Sequence, residues 1–501
     1  MHDVIVVGAG IGDLCAAIPL ASAGKRVLVL DGADEPGGKA GRATVEGVEV
    51  DTGPSVLTMT EAFDSVFRSA GTSLRDEVGL RELRPGFRYL YPDGVSLDVD
   101  HDLEQTLSNV RSALGPKEAE ELRAFVDYAK QIWDTAAPVF VYGDAPNMKN
   151  VLGRGLGTLA KMTRIDPWSN MWASIEKRVR SPHLRKLLLR YATYNGSDAR
   201  SAPATLNCIA YVELGLGGYG VEGGMFTLIH ALRRVAERSG VEFRFGEMVR
   251  GIRLTDQRVT GVTLEGGREL AATQVVANAD VAHLAESLLP RGSKHGLPVG
   301  LVPSMSGLNL IVRTARRPKG ERAGHTVVFP EDYRREFADI FDRDQLPSDP
   351  TVYVCAQEVC HGRRGWEDDE PLFVMANAPP LRADGRGLED SRYESVGDEL
   401  IDRMQAAGLA AGGARAVWRR TPVELARRFP GSRGAIYGAA SNGPTAAFQR
   451  PPNRVGKVPG LYLASGTAHP GGGMPLAALS GQSAARAVLA DSPARKNTAH
   501  A

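Results

Sequence analysis

The sequence predicts an α/β fold: a Rossmann-like dinucleotide-binding domain built from separated stretches of chain, with an α+β substrate domain inserted between them. Three observations carry this. Asp3-Val-Ile-Val-Val-Gly8-Ala-Gly10-Ile-Gly12 runs from an apolar strand through a glycine turn into a helix. Arg26-Val-Leu-Val-Leu-Asp31 is a second strand, ending in an acid about twenty residues on. Gly460-Leu-Tyr-Leu-Ala464, a glycine loop and a helix from about Pro475 to Leu489 repeat that style late in the chain.

Each element follows from local chemistry. Gly8, Gly10 and Gly12 let backbone approach a pyrophosphate, the helix N-terminus offers it free N–H groups, and Asp31 suits ribose hydroxyls. With the further Pro36-Gly-Gly-Lys39-Ala-Gly-Arg42 element, this points to FAD. Residues 84–100 read as two short strands around a Pro-Asp-Gly turn, and helices dominate from 103 to 190. Gly223-Gly224 introduces a helix to about Arg238, followed by short strands at Val241–Phe245, Val249–Leu254, Val259–Leu264 and Gln274–Asn278. Residues 300–440 mix strands with one amphipathic helix, about Val396–Ala407. The expected division is 1–95, 220–285 and 455–491 for the dinucleotide domain and 96–219 with 286–454 for the substrate domain, leaving 492–501 as a frayed tail.

Bulk properties exclude other classes. A chain of 501 residues exceeds one ordinary core, and a net charge of +1 gives no case for nucleic acid. Four scattered cysteines suggest a reducing, cytoplasmic setting without a disulfide framework. No run of eighteen apolar residues offers a bilayer span, and the N-terminus enters a strand without a signal-peptide pattern.

Three blocks carry a family resemblance: residues 3–54, residues 219–280, and Gly460–Gly481 with Gly466-Thr-Ala-His-Pro-Gly-Gly-Gly-Met-Pro475. On these, the chain resembles the carotenoid desaturases of the bacterial phytoene-desaturase family, within the flavin amine-oxidase-like superfamily. Arg190-Tyr-Ala-Thr-Tyr-Asn-Gly-Ser-Asp198 makes it most similar to the 1-hydroxycarotenoid 3,4-desaturases. The resemblance implies FAD contacts at Gly8, Gly10, Gly12, Asp31, Lys39, Arg42, Val249, Gly466, Gly473 and Met474. Arg42 would neutralise pyrophosphate, Val249 would read an adenine edge, and the helix after Pro475 would aim its positive end at the flavin N1–C2 carbonyl.

Two residues depart from that pattern. Asp13 stands where the family has glycine, and a carboxylate about 5 Å from pyrophosphate costs on the order of 3 kcal/mol at an effective dielectric near 20. Pro19 lies inside the predicted helix Ile11–Ala23, where proline typically costs about 3 kcal/mol. Weakened FAD retention is the expectation, unless the Asp13 side chain turns out to solvent.

The implied reaction moves a hydride from a C–C single bond to the flavin and loses the neighbouring proton, which needs only a modest base. Glu213 and His469 are the candidate proton acceptors; an exposed helix face and a loop-ordering hydrogen bond are their structural alternatives. A phytoene or zeta-carotene desaturase and a redox-neutral carotenoid cis–trans isomerase are the rival functions. Gly215-Leu-Gly217-Gly-Tyr-Gly220 lacks the flanking strands of a second nucleotide site, so a quinone or oxygen is the expected electron acceptor rather than NAD. Cys355 and Cys360-His361 lie close in sequence without further ligands nearby, so no metal is expected. From 149 to 190, ten basic residues face only Asp166 and Glu176, with Trp168, Met171, Trp172 and several leucines between them. That interleaving, within a helical part at about 145–190, suits peripheral association with a membrane surface; a solvated basic face is the alternative.

Overall fold

A computed structural model describes residues 2–146, 166, 168–318, 320–443 and 445–492, so most of the basic stretch before Trp168, and the tail after 492, lie outside the described residues. A five-stranded sheet in the order Leu461–Leu463, Gln274–Ala277, Val4–Val7, Val27–Leu30, Glu242–Arg244 is parallel throughout. Its strands come from three distant parts of the chain. Both faces are covered, which is why Val4–Val7 and Val27–Leu30 are continuous apolar runs rather than alternating ones.

On one face, helices Ile11–Ser22, Phe226–Arg238 and Met474–Asp491 share a core with Val4, Val6, Val27 and Val29. Glycine sets how closely two of these helices approach. A Cβ on Gly12 would lie 1.8 Å from the Ala464 carbonyl oxygen, and one on Gly481 would lie 2.1 Å from that of Gly12. The first helix runs on through Pro19 to Ser22. On the other face, the three-stranded meander Val249–Thr255, Arg258–Leu264, Glu269–Ala271 packs Ile252, Val259 and Val262 against Ile5, Leu28 and Leu30. Its first turn has Asp256 and Gln257 at positive φ, 49° and 63°.

A second, seven-stranded sheet is ordered Arg415–Arg420, Ser306–Ala315, Asp369–Ala378, Val352–Ala356, His325–Val328, Phe87–Leu90, Ser96–Val99. The hairpin expected near 84–100 belongs here, since Phe87–Leu90 pairs in parallel with His325–Val328. A division at residue 95 therefore falls inside the hairpin turn. The physical reason is burial: Phe87, Tyr89 and Leu97 need the apolar layer formed by helices Leu103–Ala113, Pro116–Phe140 and Pro182–Leu189.

Candidate functional site

A cavity of about 1300 Å3 opens at the carboxyl ends of the parallel strands and extends between the second sheet and the helical layer. Ligands of open α/β sheets bind at such strand ends. Gly8, Gly10, Gly12, Asp31, Lys39, Val249, Gly466, Gly473 and Met474 all border it. Gly8 has φ 112°, and the Gly37 N–H donates to Ala9 O at 2.9 Å, joining the two glycine elements. Asp31 accepts from the Ala9 and Ala33 N–H groups at 2.7 and 2.8 Å, which fixes its carboxylate at the strand end. Gly473, at φ 103°, precedes the helix that begins at Met474, so the N–H groups of its first turn face the cavity.

Asp13 is not turned to solvent. It is fully buried, and its Oδ2 accepts from the Gly10 N–H at 2.9 Å and the Asn278 amide at 2.7 Å. Burial pushes its pKa well above the usual carboxylate range, against those two hydrogen bonds. The other oxygen, Oδ1, is buried without a hydrogen-bond partner among the described residues, the position a proton on the neutral acid would take. An ionised group is the expectation from sequence alone; burial disfavours that charge.

Arg42 lies outside the cavity wall. Its guanidinium pairs with Glu35 at 2.9 Å and with Glu49, and stacks over Phe226 at 4.5 Å. The cations that do border the cavity are Lys39, Arg190, Arg250, Arg420, Arg428 and Arg450. Lys39 donates to the Ala435 and Ile436 carbonyls at 2.8 and 3.1 Å, and burial lowers its pKa to about 8. Burial, then the neighbouring Arg428, lowers Arg420 to about 10, and its buried Nε and Nη1 have no hydrogen-bond partner among the described residues. Orphaned guanidinium donors beside a glycine cradle fit a pyrophosphate. Arg420 carries no local sign of this role in the chain and arrives from the far edge of the second sheet.

Glu213 is only 4 % exposed and borders the cavity, so the exposed-face alternative fails. Its carboxylate accepts from the Tyr191 hydroxyl at 2.9 Å and from the Tyr194 hydroxyl, with Arg190 Nη1 at 3.9 Å. Arg190 in turn donates to Tyr89 Oη at 2.9 Å and lies over the rings of Phe87, Tyr89 and Tyr194. It was counted among membrane-facing cations; the structure buries it in the cavity wall. His469 does not border the cavity. It is buried, its ring pairs through Nε2 with the Gly143 carbonyl at 2.9 Å, and burial lowers its pKa.

The described part of the basic stretch differs from an interfacial helix. Leu184, Leu187, Leu188 and Leu189 are buried in the helical core, and Arg178 stacks on Tyr128 at 3.9 Å while pairing with Asp166. Trp168 alone among its aromatics is fully presented, at 93 % exposure. Cys355 and Cys360 acquire a ligand-type neighbour that sequence spacing hid, because strand register sets His325 directly opposite Cys355.

Comparison with known proteins agrees with this geometry. The family model for flavin containing amine oxidoreductase matches residues 14–364. A hydroxyneurosporene desaturase of Rubrivivax gelatinosus is 37 % identical, over 98 % of this chain and 93 % of its own. A second, from Cereibacter sphaeroides, is 34 % identical over 98 % of both. A triple-mutant putrescine oxidase structure superposes with a TM-score of 0.62 at 15 % identity, covering 98 % of this chain and 99 % of that one, which speaks for the fold alone.

Proposed function

Since this chain is an FAD-dependent oxidoreductase of the flavin-containing amine oxidoreductase family, in its carotenoid desaturase branch, we propose that it places a double bond in a linear C40 hydroxycarotenoid by 1-hydroxycarotenoid 3,4-desaturation. The observation that carries this reading is the continuity of one cavity. The same cavity is lined by the glycine cradle, by Glu213 with Arg190 and Tyr194, and by Trp133, Phe140, Val141, Val212 and Phe448. At about 1300 Å3 it exceeds the roughly 300–1,000 Å3 of ordinary small-molecule sites, leaving room for a long apolar chain beside a dinucleotide.

In this reading the glycine turns hold the pyrophosphate, Asp31 the ribose, and Lys39, Arg420 and Arg428 balance the phosphate charge. FAD, when bound, supplies the two-electron acceptor for the hydride. The apolar wall aligns the polyene and excludes water, which supplies most of the rate enhancement. Glu213 receives the lost proton at its carboxylate, with Tyr191, Tyr194 and Arg190 holding it in place. His469 orders the closing loop through Gly143. The parallel-sheet segments then form the FAD-binding domain, and the second sheet with its helices the substrate domain.

The described residues contain no helix long and apolar enough to cross a membrane. Exposed Trp168, next to the basic stretch, supports docking on an anionic lipid surface from which the substrate is drawn. A quinone or oxygen then reoxidises the flavin. The test supplies purified holoprotein with hydroxyneurosporene, neurosporene or phytoene in anionic liposomes and resolves the pigments by chromatography. A red-shifted product from hydroxyneurosporene supports the reading. Turnover of phytoene alone, or an isomer without a red shift, overturns it.

A further inference from the structure

Behind the cavity wall, the second sheet gathers four soft or borderline donors: His325, Cys355, Cys360 and His361, each no more than 1 % exposed. Ligand atoms of the first three lie within 4.8 Å of one another. Cys355 ends the strand Val352–Ala356, Cys360 and His361 end the short helix Gln357–His361, and His325 begins the paired strand His325–Val328.

The spacing is that of ligands around one ion. Tetrahedral zinc, with bonds of about 2.3 Å to sulfur and 2.0–2.1 Å to nitrogen, separates two sulfurs by about 3.8 Å and sulfur from nitrogen by about 3.6 Å. Here Cys355 Sγ and Cys360 Sγ are 3.5 Å apart, and Cys360 Sγ is 3.6 Å from His325 Nε2. Each imidazole also has its other nitrogen anchored. His325 Nδ1 meets the Tyr353 hydroxyl at 2.9 Å, and His361 Nδ1 meets the Val221 carbonyl at 3.1 Å. Such anchors engage Nδ1 and leave Nε2 to face an ion, the usual outer support of a metal-bound histidine. His361 Nε2 is buried with no hydrogen-bond partner among the described residues, with Asp51 Oδ2 at 3.9 Å, and a metal would satisfy it.

We propose that Cys355, Cys360 and His325 bind a zinc ion, with His361 closing the set as the fourth ligand. Binding displaces the thiol protons and forms two Zn–S and two Zn–N bonds, with no change of oxidation state. A closed four-ligand set has no position for substrate, so the ion is structural. It clips the helix Gln357–His361 to two strands of the second sheet. Tyr353, whose hydroxyl holds His325, faces the cavity, so the ion stiffens that wall.

Elemental analysis of purified holoprotein tests this without any variant. About one zinc per chain is expected, surviving gel filtration, and two of the four cysteines should resist thiol reagents under denaturant until a chelator is added. Cys360→Ser and His325→Ala should lose the zinc, whereas Cys208→Ser, away from the cluster, should keep it. Protein isolated without metal that takes up none from added Zn2+ under reducing conditions overturns the proposal. So does an intact mass showing Cys355 and Cys360 joined as a disulfide in the native protein.

Discussion

Asp13→Asn separates two accounts of the departure from the glycine pattern. If Asp13 were ionised about 5 Å from pyrophosphate, removing its charge would return on the order of 3 kcal/mol and tighten FAD binding about 100-fold. The structure argues otherwise. Asp13 has no exposed surface, and burial raises its pKa well above the ordinary 3.8, which favours the neutral acid, with which asparagine is nearly isosteric and isoelectronic. The amide oxygen can accept from Gly10 and Asn278 as Oδ2 does. Titration of apoprotein with FAD at pH 7, followed by quenching of flavin fluorescence, should therefore give affinities within about threefold of each other. Wild-type affinity should fall as pH rises through the elevated pKa, while the asparagine variant stays flat. A 100-fold gain in the variant at pH 7 would refute the reasoning. Asp13→Ala is the companion measurement: it leaves the Asn278 amide and Gly10 N–H without an acceptor, at about 1–3 kcal/mol each, and should lower Tm.

Gly12→Ala should prevent accumulation of folded holoprotein, because the added Cβ lies 1.8 Å from the Ala464 carbonyl; normal flavin content would contradict the packing. Glu336 is buried against Thr351 and Asn377, and burial lifts its pKa to about 7 from 4.5, a shift equivalent to roughly 3 kcal/mol. Its contribution is complete below pH 4.5 and lost as pH rises through 7, so Glu336→Gln should flatten the decline in unfolding free energy across that interval. Glu213→Gln should lower kcat about 10²–10⁴-fold with pigment binding retained, and equal loss of both would reduce Glu213 to a packing role. FAD binding at pH 8 should take up about half a proton at Lys39, read by calorimetry in buffers of different ionisation enthalpy, because its pKa near 8 rises beside a phosphate.

What the sequence discloses is local. The strand, glycine turn and helix at the start, the acid at Asp31 and the closing helix after Gly473 are each written in a few adjacent residues, and they land together around the cavity. Two strands of the meander and the turn between them were legible for the same reason, but the strands at Val241–Phe245 and Gln274–Asn278, expected to join it, pair in the parallel sheet, and Glu269–Ala271 supplies its third strand. The remaining site residues depend on register and on burial, which no window reveals. Arg190 sits among surface-like cations in the chain but under Tyr89, Tyr194 and Phe87 in space. Arg42 is nearer in sequence to the glycines than Arg420, yet Glu35 and Glu49 draw it outward. His325 stands thirty residues before Cys355 and reaches it only because the two strands pair antiparallel with those residues opposed.

The cavity is divided by the cost of desolvation. At the parallel-sheet end, Lys39 and Arg420 are buried cations whose acidities have moved toward the neutral form, to about 8 and about 10. Asp280 and Glu424 offset the burial of these two cations only in part, so an anion arriving at this end is favoured, and a diphosphate supplies one. At the other end, Glu213 is already answered by two phenols and the Arg190 guanidinium, leaving that stretch electrically closed. An apolar chain can therefore lie along it without stranding a charge, whereas a charged amine would bring an unmatched cation into a site with no spare carboxylate. This division suits an uncharged substrate. It rests on Arg190, because removing that one guanidinium would leave Glu213 as an uncompensated anion at the centre of the apolar half.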